Sequence, residues 1–329
     1  MATLQEISDG LAAVVQAVGP SIVRVEGRRW TPGSGLVWSE DGIILTANHV
    51  VEQDDEIKVG LAGGDETLPA VLVGRDPATD LAVLRVQSSR LAAVKIASTA
   101  PAVGQLVLAL GRPGRQVQSS LGVVHAVGGE WQTPAGAQVE TYLQPDLVMY
   151  PGFSGGPLVN AAGEVIGLNT SGLLRSTAVT LLEGLLKRVT AELLAHGHVR
   201  RGYLGIGSQP VRLPEALVPQ VAEYYRTRQG QALTGQAPTG QAPTWQTLTG
   251  QALTGQETGL LISSVQPGSP AEKAGLMLGD TLLALDNRPL RQMDDLLVYL
   301  NGDVVGRSVQ VALVRGGAIQ TVGLQIGER

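Results

Sequence analysis

Apolar residues near the start of the chain recur every three to four positions, from Leu4 to Val18. This spacing predicts an amphipathic helix over residues 4–18, and Gly19-Pro20 is expected to end it. From Ser21 to about Gly172 the pattern changes to short apolar runs separated by glycine, proline, asparagine and aspartate. Closely spaced runs of this kind predict an all-β barrel or sandwich. The predicted strands are Ile22–Val25, Gly42–Leu45, Ile57–Leu61, Ala70–Val73, Leu81–Val86, Leu106–Leu110, Leu121–Val127 and Val165–Leu168.

A second helical pattern occupies about Val179–Ala195 and is expected to end at His196-Gly197-His198. A domain boundary is predicted just after this helix, near Val199–Gly202. The expected organisation is therefore a helical segment over residues 1–20, a first domain over 21–200 and a second domain over 201–329.

The second domain mixes strands and helices, and a five-residue repeat interrupts it over about 230–256. The repeat has one aromatic residue, Trp245, and too little apolar surface to offset the entropy of ordering it. We interpret it as a flexible loop insertion; a short solenoid or a glutamine-rich binding segment is the alternative. The remainder is predicted to be a small α+β domain. Its predicted strands are Gly259–Val265, Asp280–Leu285, Val309–Val314 and Thr321–Ile326, and its predicted helices are Ser269–Ala274 and Met293–Leu300.

Composition excludes several classes of function. The 329 residues include 43 glycines and no cysteine, and the net charge is −5. Abundant glycine favours turns over long helices. The acidic balance argues against a nucleic-acid partner, and the lack of cysteine argues against zinc-finger, iron–sulfur and disulfide frameworks. The chain also lacks the glycine-rich loop that binds nucleotide phosphates. We therefore expect no cofactor and no metal.

Targeting signals are also absent from the sequence as written. No apolar run approaches the ~18–20 residues that a membrane helix needs, so no membrane span is expected. The first ten residues contain Glu6 and Asp9 and no basic residue, unlike a secretory leader. The sequence as written predicts a cytoplasmic protein; a periplasmic or extracytoplasmic protein whose leader had been removed would look the same.

Three local patterns carry candidate chemistry. His49 follows Leu45-Thr46-Ala47-Asn48, Asp80 precedes an apolar strand, and Ser154 lies in a glycine-rich loop. Each alone has an ordinary structural explanation, as a buried histidine, a turn residue or a tight turn. Together they provide a nucleophile, a base and a group that orients the base. A serine hydroxyl needs a base within hydrogen-bond reach, histidine suits that role, and an aspartate fixes its tautomer.

These patterns and several others resemble those of trypsin-like serine proteases, specifically the HtrA (Deg) group with a C-terminal PDZ domain. The resemblance covers nearly the whole chain. The matching segments are Gly33–Val37 ("GSG"), Thr46–Val51 ("TNAHVV"), Asp76–Leu84 ("D-x-x-x-DLAVL"), Ala109–Pro113 ("AIGNP"), Leu143–Asp146 ("IQTDA"), Gly152–Asn160 ("GNSGGPLVN"), Arg201–Ile206 at the entry to the PDZ domain, and Pro267–Leu276 within it.

The resemblance implies a mainly β, chymotrypsin-like fold of two six-stranded barrels, followed by a small PDZ domain. It implies His49 as general base, Asp80 as the residue that orients it, and Ser154 as nucleophile. The backbone N–H groups of Gly152 and Ser154 would form the oxyanion hole, where glycines let the main chain approach the substrate closely.

In the PDZ domain, the loop Tyr203-Leu204-Gly205-Ile206 would receive a peptide C-terminus, because a nest of N–H groups can hold a carboxylate. Leu296 and Tyr299 would line the apolar pocket beside it, or would only pack the domain core. HtrA-like proteins are commonly trimers, so the helix at residues 4–18 would pack at a homotrimer interface. The alternative is that it covers a barrel of its own subunit.

Specificity is predicted from the position six residues before the nucleophile, which lies at the base of the primary pocket in trypsin-like folds. It is Val148, followed by Met149 and Tyr150. An apolar pocket would give a lysine or arginine no countercharge, so small or medium apolar residues are expected at the cleaved position. Two departures stand out: Phe153 replaces the usual asparagine, and the loop at 171–180 is short and lacks the family's "GFAIP" segment.

The expected function is an ATP-independent endopeptidase that cleaves unfolded or damaged proteins after apolar residues, with a PDZ domain that binds peptide C-termini. The alternative is a proteolytically inactive PDZ scaffold or chaperone, in which the triad is present but never assembles.

Overall fold

The computed structural model describes residues 3–64, 66–89, 91–174, 178–228, 256–301 and 304–328. The chain divides into two compact units, Met1–Val199 and Arg200–Arg329. The insertion predicted over 230–256 lies outside the described residues except for its last residue, Gln256.

The first unit contains two α-helices and fourteen strands among its described residues. The helices are α1 (Leu4–Val18) and α2 (Glu183–His196). The strands are β1 (Ile22–Glu26), β2 (Gly33–Val37), β3 (Ile43–Ala47), β4 (Lys58–Gly60), β5 (Thr67–Asp76), β6 (Leu81–Val86), β7 (Leu106–Gly111), β8 (Gln118–Gly128), β9 (Trp131–Gln132), β10 (Gln138–Val139), β11 (Tyr142–Asp146), β12 (Pro157–Asn160), β13 (Val165–Thr170) and β14 (Val179–Leu182). Short 3-10 turns cover Gly19–Ser21 and Asn48–Val50.

Two closed six-stranded barrels form the first unit. The first has the order β1-β2-β3-β6-β5-β4 and the second β11-β14-β13-β12-β7-β8, with antiparallel pairing throughout. The predicted chymotrypsin-like double barrel is confirmed. Because β3 and β6 are neighbours, with Ala47 opposite Leu81, the residues that follow β3 and precede β6 are brought together. His49 and Asp80 are these residues.

Helix α1 coincides with the helix predicted from the apolar spacing. Thr3 caps it: its side chain accepts the Glu6 N–H, and the Glu6 carboxylate accepts the Thr3 N–H. Its C-terminal half covers the second barrel of its own chain, where Val14 and Val18 are buried against strands β7, β12 and β13. At the other end Leu4 stays 87% exposed.

The predicted helix at about Val179–Ala195 begins later than expected. Val179–Leu182 forms strand β14, which pairs with both β11 and β13 and closes the second barrel. The β-branched side chains of Val179 and Thr180 favour the strand, and barrel closure satisfies the backbone on both sides. Helix α2 then packs its apolar face on β5 and β6 of the first barrel and on β13 and β14 of the second.

Among its described residues, the second unit contains a main sheet of five strands, one short strand added to that sheet, a separate pair of short strands and three helices. Its strands are β15 (Gly202–Tyr203), β16 (Ile206–Arg212), β17 (Thr258–Val265), β18 (Thr281–Leu285), β19 (Arg288–Pro289), β20 (Ser308–Arg315), β21 (Ala318–Gln325) and β22 (Gly327–Glu328), and its helices are α3 (Val218–Arg228), α4 (Pro270–Lys273) and α5 (Met293–Leu300). The main sheet runs β16-β17-β18-β20-β21, β19 pairs with β18, and β15 pairs with β22.

Helix α3 was not predicted from the sequence. Its inward face begins at Leu217, just before the helix, and continues through Val221 and Tyr225, which are buried against β18 and β20. These three apolar residues recur at every fourth position, so the signal was present, but polar residues and the neighbouring repeat obscured it.

Candidate active site

His49 and Asp80 form a hydrogen-bonded pair at the open ends of β3 and β6. The His49 ring Nδ1 lies 2.7 Å from Asp80 Oδ2, and the backbone N–H of His49 donates to Asp80 Oδ1 at 2.9 Å. Asp80 has a left-handed backbone (φ 56°), a conformation that aspartate tolerates better than most residues. Because the carboxylate accepts at Nδ1, the other ring nitrogen of neutral His49 is left to accept a proton.

The second barrel supplies further contacts to this pair. At the end of β13, the Thr170 hydroxyl donates to Asp80 Oδ2 and accepts the Gly172 N–H at 2.9 Å. A Cβ placed on Gly172 would lie 2.5 Å from Asp80 Oδ2 and 2.7 Å from His49 Nδ1. The His49–Asp80 pair is therefore seated between the two barrels, and the backbone at Gly172 closes over it.

The loop that carries Ser154 joins this region from the second barrel. Gly152 and Gly155 have positive φ values of 87° and 86°, so the turn needs residues without Cβ at these positions. The Gly155 N–H donates to Asn169 O at 2.9 Å, which ties the loop to β13. Among the described residues, the backbone N–H groups of Gly152 and Ser154 donate to no acceptor. Two unpaired donors beside the serine are what an oxyanion hole requires.

The Ser154 side chain is nearly buried, and its Oγ lies 3.1 Å from the Ser171 Oγ. Within the part of the chain that the structure describes, this is the only side-chain hydrogen bond of Ser154; the His49 ring is not its partner. The structure thus pairs His49 with Asp80 and places the Ser154 hydroxyl next to that of Ser171.

Phe153 fills an apolar site beneath the loop. It is fully buried in a cluster with Val124, Leu143 and Leu158, and its ring centroid lies 5.6 Å from that of Tyr150. Phe153 therefore anchors the loop by apolar packing against the second barrel.

Two of the three residues predicted to line the substrate pocket are largely exposed in this structure. Val148 is 56% exposed and Tyr150 is 50% exposed, while Met149 packs partly against the Phe153 cluster. Residues 175–177 of the neighbouring short loop lie outside the described residues. The pocket role of Val148, Met149 and Tyr150 stays a prediction.

In the second unit, the loop Tyr203–Ile206 leads into β16, an edge strand of the sheet. Leu204 is buried in the core, Gly205 has a φ of 79°, and the Tyr203 hydroxyl donates to Gln266. No acceptor for the N–H groups of Leu204 and Gly205 lies among the described residues. The loop thus combines unpaired donors with a free strand edge.

Leu296 and Tyr299, on helix α5, are buried in the core of the second unit, at 4% and 8% exposure. The Tyr299 hydroxyl donates to Asp286 Oδ2 at 2.8 Å. Burial, together with this hydrogen bond, raises the pKa of Tyr299. The described contacts are those of core residues, and a role for these two side chains in a peptide groove stays a prediction.

Two site residues had no part in the sequence prediction of the triad: Thr170 and Gly172. Thr170 contacts Asp80 across 90 positions of sequence, so no local pattern points to it. The Asn169-Thr170 segment was noted only as the place where the following loop becomes short.

Comparison with known protein families identifies two domains in the chain. A model of the trypsin-like peptidase domain matches residues 33–168, and a model of the PDZ domain matches residues 248–326. A probable periplasmic serine endoprotease DegP-like of Pseudomonas fulva (strain 12-X) is 32% identical over 302 residues, which make up 90% of this chain and 55% of that protein. A protein of the same description from Chlamydia trachomatis serovar D is 31% identical over 301 residues, 89% of this chain and 53% of that protein.

Solved structures agree in fold. The serine endoprotease from Yersinia pestis has a TM-score of 0.68 and 27% identity, with 97% of both chains covered. The chain thus contains a trypsin-like peptidase domain and a PDZ domain, and it is similar over nearly its whole length to HtrA-type serine proteases. The HtrA-type protease AlgW, solved with a decapeptide, is another relative, with a TM-score of 0.68, 25% identity, and 97% of this chain and 98% of that chain covered.

The HtrA resemblance deduced from the sequence is therefore confirmed. The chain spans about half the length of the curated relatives that it matches, 55% and 53% for the two described above. Among its described helices, none is long and apolar enough to cross a membrane.

Proposed function

We propose that this HtrA-like chain is a serine endopeptidase in which His49, Asp80 and Ser154 act together. The observation that carries the proposal is the His49–Asp80 pair, at 2.7 Å, placed between the barrels beside a serine loop with two unpaired N–H donors. A histidine held by a carboxylate is the arrangement that activates a serine hydroxyl.

In the proposed reaction, the free ring nitrogen of His49 takes the Ser154 proton as Oγ attacks the peptide carbonyl. Asp80 stabilises the imidazolium that forms, and the N–H groups of Gly152 and Ser154 bind the oxyanion. His49 then returns the proton to the leaving amine as the C–N bond breaks, which leaves an acyl group on Ser154 Oγ. A water molecule, deprotonated by His49, attacks this ester and releases the acid product, and the proton returns to Ser154. For this sequence to start, the Ser154 hydroxyl must exchange its Ser171 partner for His49.

The proposed substrates are unfolded or damaged proteins, cleaved without ATP after small or medium apolar residues. Val148 and Met149 offer a lysine or arginine side chain no countercharge, which disfavours a basic residue at that position. A peptide series that varies only the cleaved residue tests this. Valine should be preferred over arginine, and the reverse order would remove the assignment of the pocket.

For the second unit we propose binding of peptide C-termini at Tyr203–Ile206. The unpaired N–H groups of Leu204 and Gly205 can hold a carboxylate, and the free edge of β16 can add the peptide as a strand. Fluorescence anisotropy should show that a labelled peptide with an apolar C-terminus binds, and that amidating its terminus weakens binding about tenfold or more, as expected for a lost charge-assisted contact. Equal affinity for both forms would contradict carboxylate recognition.

Assembly and location are further predictions. The exposed Leu4 and Ile7 of α1 are available to a homotrimer contact, although Val14 and Val18 cover the chain's own barrel. Sedimentation of the purified chain would distinguish a trimer from a monomer. The curated relatives are named as periplasmic proteins, whereas the sequence as written predicts the cytoplasm; cell fractionation decides between the two.

Labelling and proteolysis together test the proposed activity. Wild type should react with a fluorophosphonate probe and hydrolyse casein, and Ser154→Ala should lose both, with at least a 10⁴-fold fall in turnover expected for loss of the nucleophile. Ser120→Ala is the matched control, because Ser120 is a similarly buried serine on β8. Equal residual hydrolysis by wild type and Ser154→Ala would favour the inactive scaffold or chaperone instead.

A further inference from the structure

Ser34, on strand β2 of the first barrel, contacts the Ser154 loop through both its side chain and its backbone. Its hydroxyl donates to the carbonyl of Gly152 at 2.6 Å, and its N–H donates to the carbonyl of Ser154 at 3.0 Å. The residue is fully buried. One residue of the first barrel therefore holds the loop of the second barrel at two points, on either side of Phe153.

These two points matter because of where the proposed oxyanion donors lie: the Gly152 carbonyl lies between the Gly152 and Ser154 N–H groups along the chain, and the Ser154 carbonyl directly follows them. Fixing the Gly152 carbonyl fixes the plane of the Gly152–Phe153 peptide, and fixing the Ser154 carbonyl limits rotation on the other side. Gly152, at φ 87°, lacks a Cβ and has more backbone freedom than other residues, so the turn needs an external restraint. A buried carbonyl left without a donor would also be destabilised, which favours rotation toward another partner.

The direction of the Ser34 hydroxyl is itself set by a second contact. The backbone N–H of Arg112 donates to Ser34 Oγ at 2.7 Å, which leaves the hydroxyl hydrogen for Gly152. Arg112 is anchored in turn, because its guanidinium donates to the carbonyls of Ile22 at 2.7 Å and Gly19 at 2.8 Å. The backbone that follows α1 thus holds Arg112, and the Arg112 N–H orients the Ser34 hydroxyl.

We propose that Ser34 is a positioning residue of the oxyanion hole: it holds the Gly152 carbonyl so that the N–H groups of Gly152 and Ser154 point at one site. The proposal rests on the proposed function, because an oxyanion hole has a role only in an acyl-transfer enzyme. It predicts that loss of the hydroxyl lowers turnover and leaves substrate binding nearly unchanged.

The test compares Ser34→Ala with Ser120→Ala, the same substitution at a buried serine on β8 that has no described hydrogen bond to the loop. Initial rates on N-benzyloxycarbonyl-valine p-nitrophenyl ester give kcat and KM separately. Ser34→Ala should lower kcat by about 10- to 100-fold with KM within about twofold, somewhat less than deletion of an oxyanion donor itself. Ser120→Ala should stay within about twofold in both. Equal kcat for the two variants would overturn the proposal.

A structural measurement tests the positioning role of Ser34 independently of enzymatic activity. Crystal structures of Ser34→Ala and Ser120→Ala should show the Gly152 carbonyl turned in the first and unchanged in the second. An unchanged carbonyl in Ser34→Ala would overturn the positioning role even if the wild type were inactive. Lack of a Ser154-dependent rate in the wild type would overturn the proposed function instead. If Ser34→Ala does not fold, Ser34→Cys, whose thiol is a weaker donor, should lower kcat about threefold to tenfold; an unchanged kcat would count against Ser34.

Discussion

The Ser154 loop of the first unit and the Tyr203–Ile206 loop of the second both present unpaired backbone N–H groups, and each is anchored by a buried apolar side chain, Phe153 in the first and Leu204 in the second. Their side-chain hydrogen bonds differ in burial. The Gly152 carbonyl accepts a buried hydrogen bond from Ser34 on β2, whereas the hydrogen bond between Tyr203 and Gln266 is exposed to solvent. A buried hydrogen bond constrains direction more strongly than an exposed one, so the first loop suits the proposed chemistry and the second suits the proposed binding of variable peptides.

The strongest test of the polar arrangement is Gly172→Ala. The added Cβ would overlap Asp80 Oδ2 at 2.5 Å and His49 Nδ1 at 2.7 Å, so the pair must move. We expect about a 10³-fold loss of kcat/KM on the valine ester, because loss of the carboxylate that fixes the histidine tautomer lowers kcat about 10⁴-fold in trypsin-like enzymes, and a displaced carboxylate loses part of that effect. Gly184→Ala is the control, since the nearest atom to its added Cβ, Glu140 Oε2, is 3.9 Å away. Full activity in Gly172→Ala would mean that the pair tolerates displacement.

Leu296→Ala tests whether apolar packing dominates in the second unit. Leu296 is buried at 4% exposure, so its truncation should lower the free energy of unfolding by about 3 kcal/mol, measured by urea denaturation. Leu278→Ala, at a leucine that is 72% exposed, should change it by less than about 0.5 kcal/mol. Loss of peptide binding without loss of stability would instead place Leu296 in the groove.

Arg315→Leu examines the ion pair between Arg315 and the buried carboxylate of Asp280 in the second unit. Burial by itself would raise the pKa of Asp280, but hydrogen bonds from Arg315 and the Met277 N–H outweigh it, so the pKa is lowered overall. A lowered folded-state pKa stabilises the fold above the unfolded-state pKa, and that stabilisation is lost as pH falls through the folded-state pKa. At pH 7 the variant should be less stable by about 2 kcal/mol, since Arg315 is partly exposed.

The difference from wild type should shrink below about pH 4, where the carboxyl takes up its proton. Arg226→Leu is the matched control, because Arg226 pairs with Glu223 on the exposed face of α3, where solvent screens the two charges, so its removal should change stability much less than removal of Arg315. A difference that stays constant from pH 7 to pH 3 would show that Arg315 acts through packing and not through its charge.

The smallest expected effect is that of Ser171→Ala. Its hydroxyl competes with His49 for the Ser154 Oγ, and a single neutral hydrogen bond contributes about 1 kcal/mol. The rate constant for fluorophosphonate labelling should rise about threefold. Slower labelling would assign Ser171 a supporting role in the arrangement of Ser154 rather than a competing one.

Much of the fold was accessible from sequence because strands and helices leave periodic patterns. Helix α1, strand β6 and helix α5 match their predicted bounds. The start of α2 was wrong, because Val179–Leu182 is committed to closing a barrel with strands far away in sequence. No local pattern contains that pairing.

The residues of the candidate site also fall into two groups, those that a sequence motif reveals and those that it does not. His49, Asp80 and Ser154 lie in recognisable motifs, and the structure places His49 against Asp80. Thr170 and Gly172, which support the pair, act through contacts that exist only after folding. The pocket and groove residues are harder still, because an apolar side chain has the same sequence signature in a core as in a binding surface.

Helix α2 buries one apolar face against strands of both barrels. The two barrels that carry the candidate site residues therefore share an apolar contact surface, and separating the barrels would expose that surface to water. Because both barrels pack against α2, we expect the first unit to unfold in one cooperative step. No intact, isolated barrel should remain after that step.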